Sequence, residues 1–319
     1  MSTIEIRKVT KKFGAFTAVK DADLKVEAGE VVCLLGPSGC GKTTTLRMIA
    51  GLERATSGDV IIAGQSMNEL PPQKRDIAMV FQFYALYPAL TVGQNIAMPL
   101  HSEGLSKSDA DQRVMKVAKI MHLTEVLDRM PNQISEGEKQ RLAVARATVP
   151  NPTCFLFHEP LPRLDVELRH SMRGQIKEVL TGLSKATVIV THDQLEALTM
   201  ANRIAIMKDG VIEQVGTPHD VFAKPANVFV ASFIGTPQMN LVEADLKGFG
   251  DGVASVTLAG EQLAIAADPA VSRLKPSKVT VGIRPRAFAA VQERGGGAES
   301  PHGPLVRPAG AARAVPPPA

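Results

Sequence analysis

The stretch "GPSGCGKTT", Gly36 to Thr44, constrains this chain more than any other. It fits G-x-x-x-x-G-K-[ST], and it stands between an apolar run, "EVVCLLG", and a helix-like run, "KTTTLRMIAGL", that closes at Gly51. Glycines let backbone N–H groups turn inward around phosphate oxygens, and the start of the helix adds the positive end of its dipole. Gly36, Pro37, Ser38, Gly39, Cys40, Gly41, Lys42, Thr43 and Thr44 are therefore the candidate phosphate-binding residues. Lys42 is expected to reach the β- and γ-phosphates, and the Thr43 hydroxyl to ligate Mg²⁺. The alternative is a glycine-rich turn without a ligand, and the flanking strand and helix argue against it. The motif alone does not separate ATPases, GTPases and kinases.

The rest of the chain supplies the scaffold such a loop needs. "STIEIRKVTKKFG" and "DADLKVEAGEVVCLLG" alternate or run apolar between turn residues, as strands do. Residues 105–129 show helical spacing, with Val114, Val117, Ile120 and Met121 placed on one face. "TCFLF" and "ATVIVTHD" are short and apolar, the pattern of parallel strands buried on both faces. Strands alternating with helices predict an α/β domain with a largely parallel sheet. Its expected end is near Gly235, in "SFIGTPQMN"; "VASVTLAGEQLAIAA" and "KVTVGIRP" then read as strands of a small second domain. From about Gly295 the chain is mostly Gly, Ala and Pro without periodicity, so residues 295–319 are expected to be disordered.

Composition excludes several classes. No apolar run approaches the roughly 20 residues that span a bilayer, and the N-terminal residues contain no apolar export signal. Three scattered cysteines in 319 residues do not make a disulfide framework, which fits a reducing cytoplasm. A net charge of +4 is too mild to predict a nucleic-acid partner.

Further motifs follow in a fixed order: "MVFQFYALYP" (79–88), "ISEGEKQRLAVARA" (134–147), "FLFHEPLPRLD" (155–165) and "VIVTHD" (188–193). Together with the phosphate loop they resemble the ATP-binding subunit of an ABC transporter, over about residues 3–286. "YALYP", "THDQLEALTMANRIAIMKDG" and "GTPQMN" leading to "GIRP" are similar to the carbohydrate-importer type, the maltose and glycerol-3-phosphate kind. The resemblance implies a P-loop NTPase cassette over 1–235 with a helical subdomain at about 88–150. It also implies a partial β regulatory domain of OB/TOBE kind over 236–294, an incomplete barrel. It implies ATP and Mg²⁺ as cofactors and a second ATP-binding subunit, in a homo- or heterodimer. Two permease subunits, a solute-binding protein reached through them, and a peripheral place on the cytoplasmic face of the plasma membrane complete the expectation. No nucleic-acid partner is implied, and repair or translation relatives carry a coiled-coil insertion or a second cassette.

Residue roles carry over only where motifs match. Phe13 is expected to stack on adenine, or else to be a core aromatic at a strand end. Gln82 is expected to contact Mg²⁺ and the attacking water, Glu159 to act as general base, and His192 to hold the γ-phosphate and water in line. Ser135, Gly137 and Glu138 are expected at the ATP of the opposite subunit, and Asp165 at the dimer interface. "FYALYPALTVGQNIAMPL" is the expected docking segment for a membrane subunit, with ordinary helical packing as the alternative.

The chain departs from the family pattern in four places. His158 stands where an Asp positions the metal, and hard Mg²⁺ prefers oxygen ligands. The signature reads Ile-Ser-Glu-Gly-Glu (134–138), so Glu136 and Glu138 are expected to bring negative charge towards a triphosphate. Pro162–Arg163–Leu164 replaces the usual Ser-Asn-Leu, and Arg286 stands where a Glu is expected. The expected function is transport-coupled ATP hydrolysis; the alternative is a poorly hydrolysing structural or regulatory partner.

Overall fold

The computed structural model describes residues 3–81, 83–160, 173–174, 176–177, 180, 182, 184–250, 252–258, 260–267, 277–285, 288–290, 306–308 and 313–315. Contacts divide the chain into two units, Met1–Pro218 and His219–Ala319. In the first unit, β1 (Ile4–Phe13) and β2 (Phe16–Val26) form a hairpin. The five residues of β3 (Val31–Leu35) are all buried, and α1 (Lys42–Ala50) follows the phosphate loop. Next come β4 (Ser57–Ile62), β5 (Gln65–Ser66) and β6 (Ile77–Val80). The helices α2 (Val92–Ala97), α3 (Lys107–Ile120) and α4 (Glu136–Thr148) precede β7 (Cys154–His158). Then β8 (Ala186–Thr191), α5 (Gln194–Met200), β9 (Arg203–Lys208) and β10 (Val211–Gly216) complete the unit.

Two sheets result. An antiparallel one runs β2-β1-β4-β5, and a six-stranded one runs β10-β9-β3-β8-β7-β6. In the second, β9, β3, β8, β7 and β6 pair in parallel and only the edge strand β10 is antiparallel. The largely parallel sheet expected from the apolar runs is therefore present. Its central strands are buried on both faces, with Phe155, Leu156 and Phe157 at 1% exposure or less. One continuous core joins Val32 and Leu34 of β3, Leu156 of β7, Val188 and Val190 of β8, and Leu46 and Ile49 of α1. Cys33, Cys40 and Cys154 are buried free thiols, and burial raises the Cys154 thiol to about 12.

The helix expected over 105–129 is shorter. α3 ends at Ile120, and the chain turns through His122 at a positive φ of 51° before the single turn Thr124–Val126. Ile120 does not join the buried face either: Val114, Ala118 and Met121 do, whereas Ile120 is exposed. At roughly 100° per residue Ile120 stands about 120° round the helix from Val114, so spacing by threes had carried the stripe too far.

In the second unit, β11 (Asn240–Gly250), β12 (Val253–Leu258), β13 (Glu261–Ala267) and β14 (Lys278–Ile283) close into a barrel through a short strand, Arg313–Val315. That strand pairs in parallel with β13 and antiparallel with β14, which satisfies backbone groups two edges would otherwise expose. A second short strand, Val306–Pro308, pairs with Phe288–Ala290. Val306–Pro308 and Arg313–Val315 lie in the stretch whose composition suggested disorder, yet they are strands, and the barrel that the resemblance implied to be incomplete closes through Arg313–Val315.

Candidate active site

Strand register brings three distant motifs to one edge. Leu35 of β3 pairs with Thr191 of β8, and Val190 of β8 pairs with His158 of β7. The residues that follow, Gly36, His192 and Glu159, therefore emerge together at the carboxyl ends of parallel strands, where open α/β sheets bind ligands.

The loop at Gly36 is closed to side chains. A Cβ on Gly36 would lie 2.2 Å from the Met207 carbonyl oxygen, and one on Gly41 would lie 2.5 Å from the Ala18 carbonyl oxygen, with Gly41 at φ 103°. Helices α2, α3, α4 and α5 each begin at a side chain that accepts from their first turn: Thr91, Ser106, Ser135 and Asp193. α1 begins at Gly41 with no side-chain cap, which leaves its first N–H groups for an anion. Lys42, 6% exposed, folds back on the loop: its Nζ donates to the carbonyls of Gly36 and Pro37, both at 2.8 Å. These bonds hold an ammonium group at the centre of the cradle. A polyphosphate fits this donor set.

On the opposite side, the His158 Nε2 lies 3.0 Å from the Thr43 hydroxyl. Burial, with help from the nearby Arg47 and Lys42 charges, holds the imidazole below the usual histidine range, against the pull of Glu159. A neutral imidazole thus occupies the place beside Thr43. The donor set fits a divalent cation through the Thr43 oxygen but offers a hard ion such as Mg²⁺ a nitrogen instead of a carboxylate.

Glu159 leaves the strand at φ 50°, and its N–H donates to the Val190 carbonyl at 2.8 Å. This left-handed turn stands beside the carboxylate, where strained backbone is commonly kept for function. Glu159 Oε1 meets His192 Nδ1 at 3.1 Å. An ionised carboxylate can only accept, so Nδ1 donates and Nε2 of the exposed His192 remains for a ligand. The next residue, Asp193, caps α5 through the N–H groups of Leu195 and Glu196, and it pairs with Arg173 at 3.2 Å. Thr191 donates to the buried Glu196 at 2.7 Å. The histidine is thereby held between two fastened neighbours.

The acidic residues of the signature segment bond within their own helix turn. Glu138 does not extend its charge outward: its Oε2 accepts from both the Ser135 N–H and the Ser135 hydroxyl, each at 2.7 Å. The Glu138 N–H donates back to Ser135 Oγ, completing a capping box, and the bonds from Ser135 lower the Glu138 carboxyl. Glu136 is paired with Lys139 at 2.6 Å. Both charges are answered within the first turn of α4. Gly137 is buried in that turn.

Phe13 is 47% exposed at the β1–β2 turn, with Lys11 Nζ 4.6 Å from its ring centroid. It is free to stack on a ligand and is no core residue. Gln82 and Asp165, with the loop Pro162–Leu164 and Arg286, lie outside the described residues. Four residues absent from the motif reading hold the site's frame. Asn95, fully buried, donates to the carbonyls of Tyr87, Leu90 and Thr91 and accepts from the Tyr87 N–H. Arg146 of α4 donates to the carbonyls of Tyr84 and Ala85. The buried Gln140 of α4 donates to the carbonyl of Pro160, next to Glu159. Arg173 fixes Asp193. Around the loop that Asn95 and Arg146 hold, Phe81, Phe83 and Tyr87 are exposed.

Known proteins share this arrangement. The sequence profile of the ABC transporter family matches residues 19–162. The trehalose import ATP-binding protein SugC of Mycobacterium tuberculosis is 50% identical over 289 residues, 89% of this chain and 72% of SugC. The sn-glycerol-3-phosphate import ATP-binding protein UgpC of Rhodopseudomonas palustris is 47% identical, over 84% of this chain and 76% of UgpC. The sulfoquinovosyl glycerol transport ATP-binding protein SmoE of Agrobacterium fabrum is 45% identical, over 90% and 80%. Among solved structures, the ATP-binding cassette MJ0796, dimeric and bound to ADP and Pi after hydrolysis, superposes with a TM-score of 0.59 at 33% identity. That match covers 67% of this chain and 98% of MJ0796. With the phosphate loop, the strand ends and the capped signature helix in the family's order, this chain belongs to the ATP-binding proteins of ABC transporters.

Proposed function

We propose that this chain couples ATP binding and hydrolysis to import of a carbohydrate, polyol or sugar phosphate. The observation that carries the hydrolytic part is the contact of Glu159 with His192 at the strand edge beside the phosphate loop. Gly36–Thr44 cradles the triphosphate, with Lys42 exchanging its loop carbonyls for the β- and γ-phosphates. Glu159 takes a proton from the attacking water, and His192, oriented through Nδ1, presents Nε2 to the γ-phosphate. A divalent cation supplies charge neutralisation on the phosphates when bound. Phe13 stacks on adenine, Gln82 contacts the cation and water, and Ser135 and Gly137 meet the ATP of a second subunit, with Asp165 at that interface. On this reading residues 1–235 work on nucleotide and 236–294 are regulatory. The chain sits on the cytoplasmic face of the membrane, where its exposed aromatic loop meets two permease subunits fed by a solute-binding protein. The import function follows the names of its relatives, which carry trehalose, sn-glycerol-3-phosphate and a sulfoquinovosyl glycerol.

One observation favours a second reading, a poorly hydrolysing partner subunit: the Thr43 hydroxyl is bonded to an imidazole. ATP turnover with Mg²⁺, measured on the purified chain and on His158→Asp, separates the two. Measurable turnover in the unaltered chain, even if slower than in the variant, supports the first reading, and turnover in the variant alone supports the second. Lack of ATP binding by either protein overturns both. Uptake of labelled trehalose and glycerol-3-phosphate by cells with and without the chain tests the import role.

A further inference from the structure

Resting on the nucleotide reading above, we propose that the cation site beside the phosphate loop selects a first-row transition ion that accepts imidazole nitrogen, Mn²⁺ or Co²⁺, over Mg²⁺. The geometry that points there is the pair Thr43 Oγ1 and His158 Nε2, 3.0 Å apart. An octahedral ion with bonds of about 2.1 Å holds adjacent ligands about 3.0 Å apart. The two atoms already stand at the spacing of neighbouring positions on one ion, with a shared proton between them. Thr43 directly follows Lys42 in the loop, where the motif's hydroxyl meets the nucleotide's cation.

Donor chemistry then decides which cation. Mg²⁺ is hard, holds its water tightly and takes oxygen ligands; imidazole nitrogen gains affinity along the first-row transition series. An imidazole brings no negative charge where a carboxylate would, so attraction for every dication falls and a nitrogen-accepting ion recovers the loss. Lys42 and Arg47 lie close enough to act on His158 electrostatically, and they repel a bare cation. Among the described residues no group of three or more His, Cys, Asp or Glu side chains could hold a metal by itself. With Thr43, His158 and the Gln82 assigned above, the ligand set is completed by the nucleotide and water, so the ion binds with nucleotide and not alone.

The test titrates the full chain with the methylene analogue of ATP, which does not hydrolyse and whose bridge contributes no nitrogen, in Mn²⁺ or Mg²⁺. We expect affinity on the order of tenfold higher with Mn²⁺. Pulsed EPR of the Mn²⁺ complex should show a nitrogen coupling that shifts on ¹⁵N-histidine labelling and vanishes in His158→Asp, or in His158→Gln if the first variant does not fold. Labelling of the unaltered chain needs no variant at all. Equal affinities without histidine coupling overturn the cation assignment and leave the nucleotide reading standing. A coupling that survives loss of His158 overturns it too. Absence of binding with either ion overturns both readings together.

Discussion

The phosphate loop and the end of β7 touch through one hydrogen bond, yet they are constrained in opposite ways. In the loop, the chain itself fills the space: methyl groups at Gly36 or Gly41 would strike backbone oxygens of Met207 and Ala18. At the end of β7 the link is made by a side chain, with the His158 nitrogen on Thr43 where the family resemblance leads one to expect a carboxylate. The first region is fixed by shape and the second by charge. A substitution at the second leaves the fold whole and changes what the site can hold.

Four experiments break or sharpen this contrast. Glu159→Gln keeps the strand end and removes the base, so turnover should fall on the order of 1,000-fold while nucleotide affinity stays within a few-fold. An unchanged rate in a steady-state assay removes Glu159 from the chemistry. Gly41→Ala attacks shape: its methyl meets the Ala18 oxygen at 2.5 Å from a backbone at φ 103°, and urea unfolding should show a loss of about 3 kcal/mol or more, together with nucleotide binding. Preserved stability would mean that the loop yields. His158→Asp exchanges a nitrogen donor for a smaller, charged oxygen donor, and Mg²⁺-dependent turnover should rise about tenfold with stability changed by less than about 1 kcal/mol. A large loss of stability there would erase the distinction between the two regions.

The smallest effect lies in the capping box. Glu138→Ala should cost about 0.5 kcal/mol. The folded carboxyl is lowered by its bonds to Ser135, so its contribution is complete above the ordinary value of 4.5 and disappears as pH falls through the lower folded value. Stability curves of the parent and variant should therefore converge in acid. Curves that stay parallel from neutral pH into acid show that Glu138 is not ionised against Ser135.

Legibility in the sequence follows the same division. Gly36–Thr44, the apolar runs of β3, β7 and β8, and the Gly51 stop of α1 were readable because sterics and two-sided burial admit few residue types. The capping box of Ser135 and Glu138 was missed, because proximity to a triphosphate suggested exposed charge instead. Lys42 folded onto its own loop was not readable, because the carbonyls it bonds exist only once the loop has closed. Nor were the partners of Asn95, Arg146 and Arg173, since their bonds go to backbone or to residues brought near by the sheet. The overlong helix at 105–129 came from spacing alone; the turn at His122 has no Gly or Pro to announce it. Closure of the barrel by Arg313–Val315 rests on pairing between residues far apart in sequence, and composition is blind to that.

Helix α4 ties these regions mechanically. Its 13 residues rise about 20 Å. Ser135 sits at its start, Gln140 holds the carbonyl beside Glu159, and Arg146 near its end grips the loop at Tyr84 and Ala85. Two side chains of one hydrogen-bonded helix thus fasten the aromatic loop and the backbone beside the carboxylate to the same element. Under the proposed function, a displacement of the aromatic loop would reach Ser135 and the backbone next to the carboxylate through this one helix.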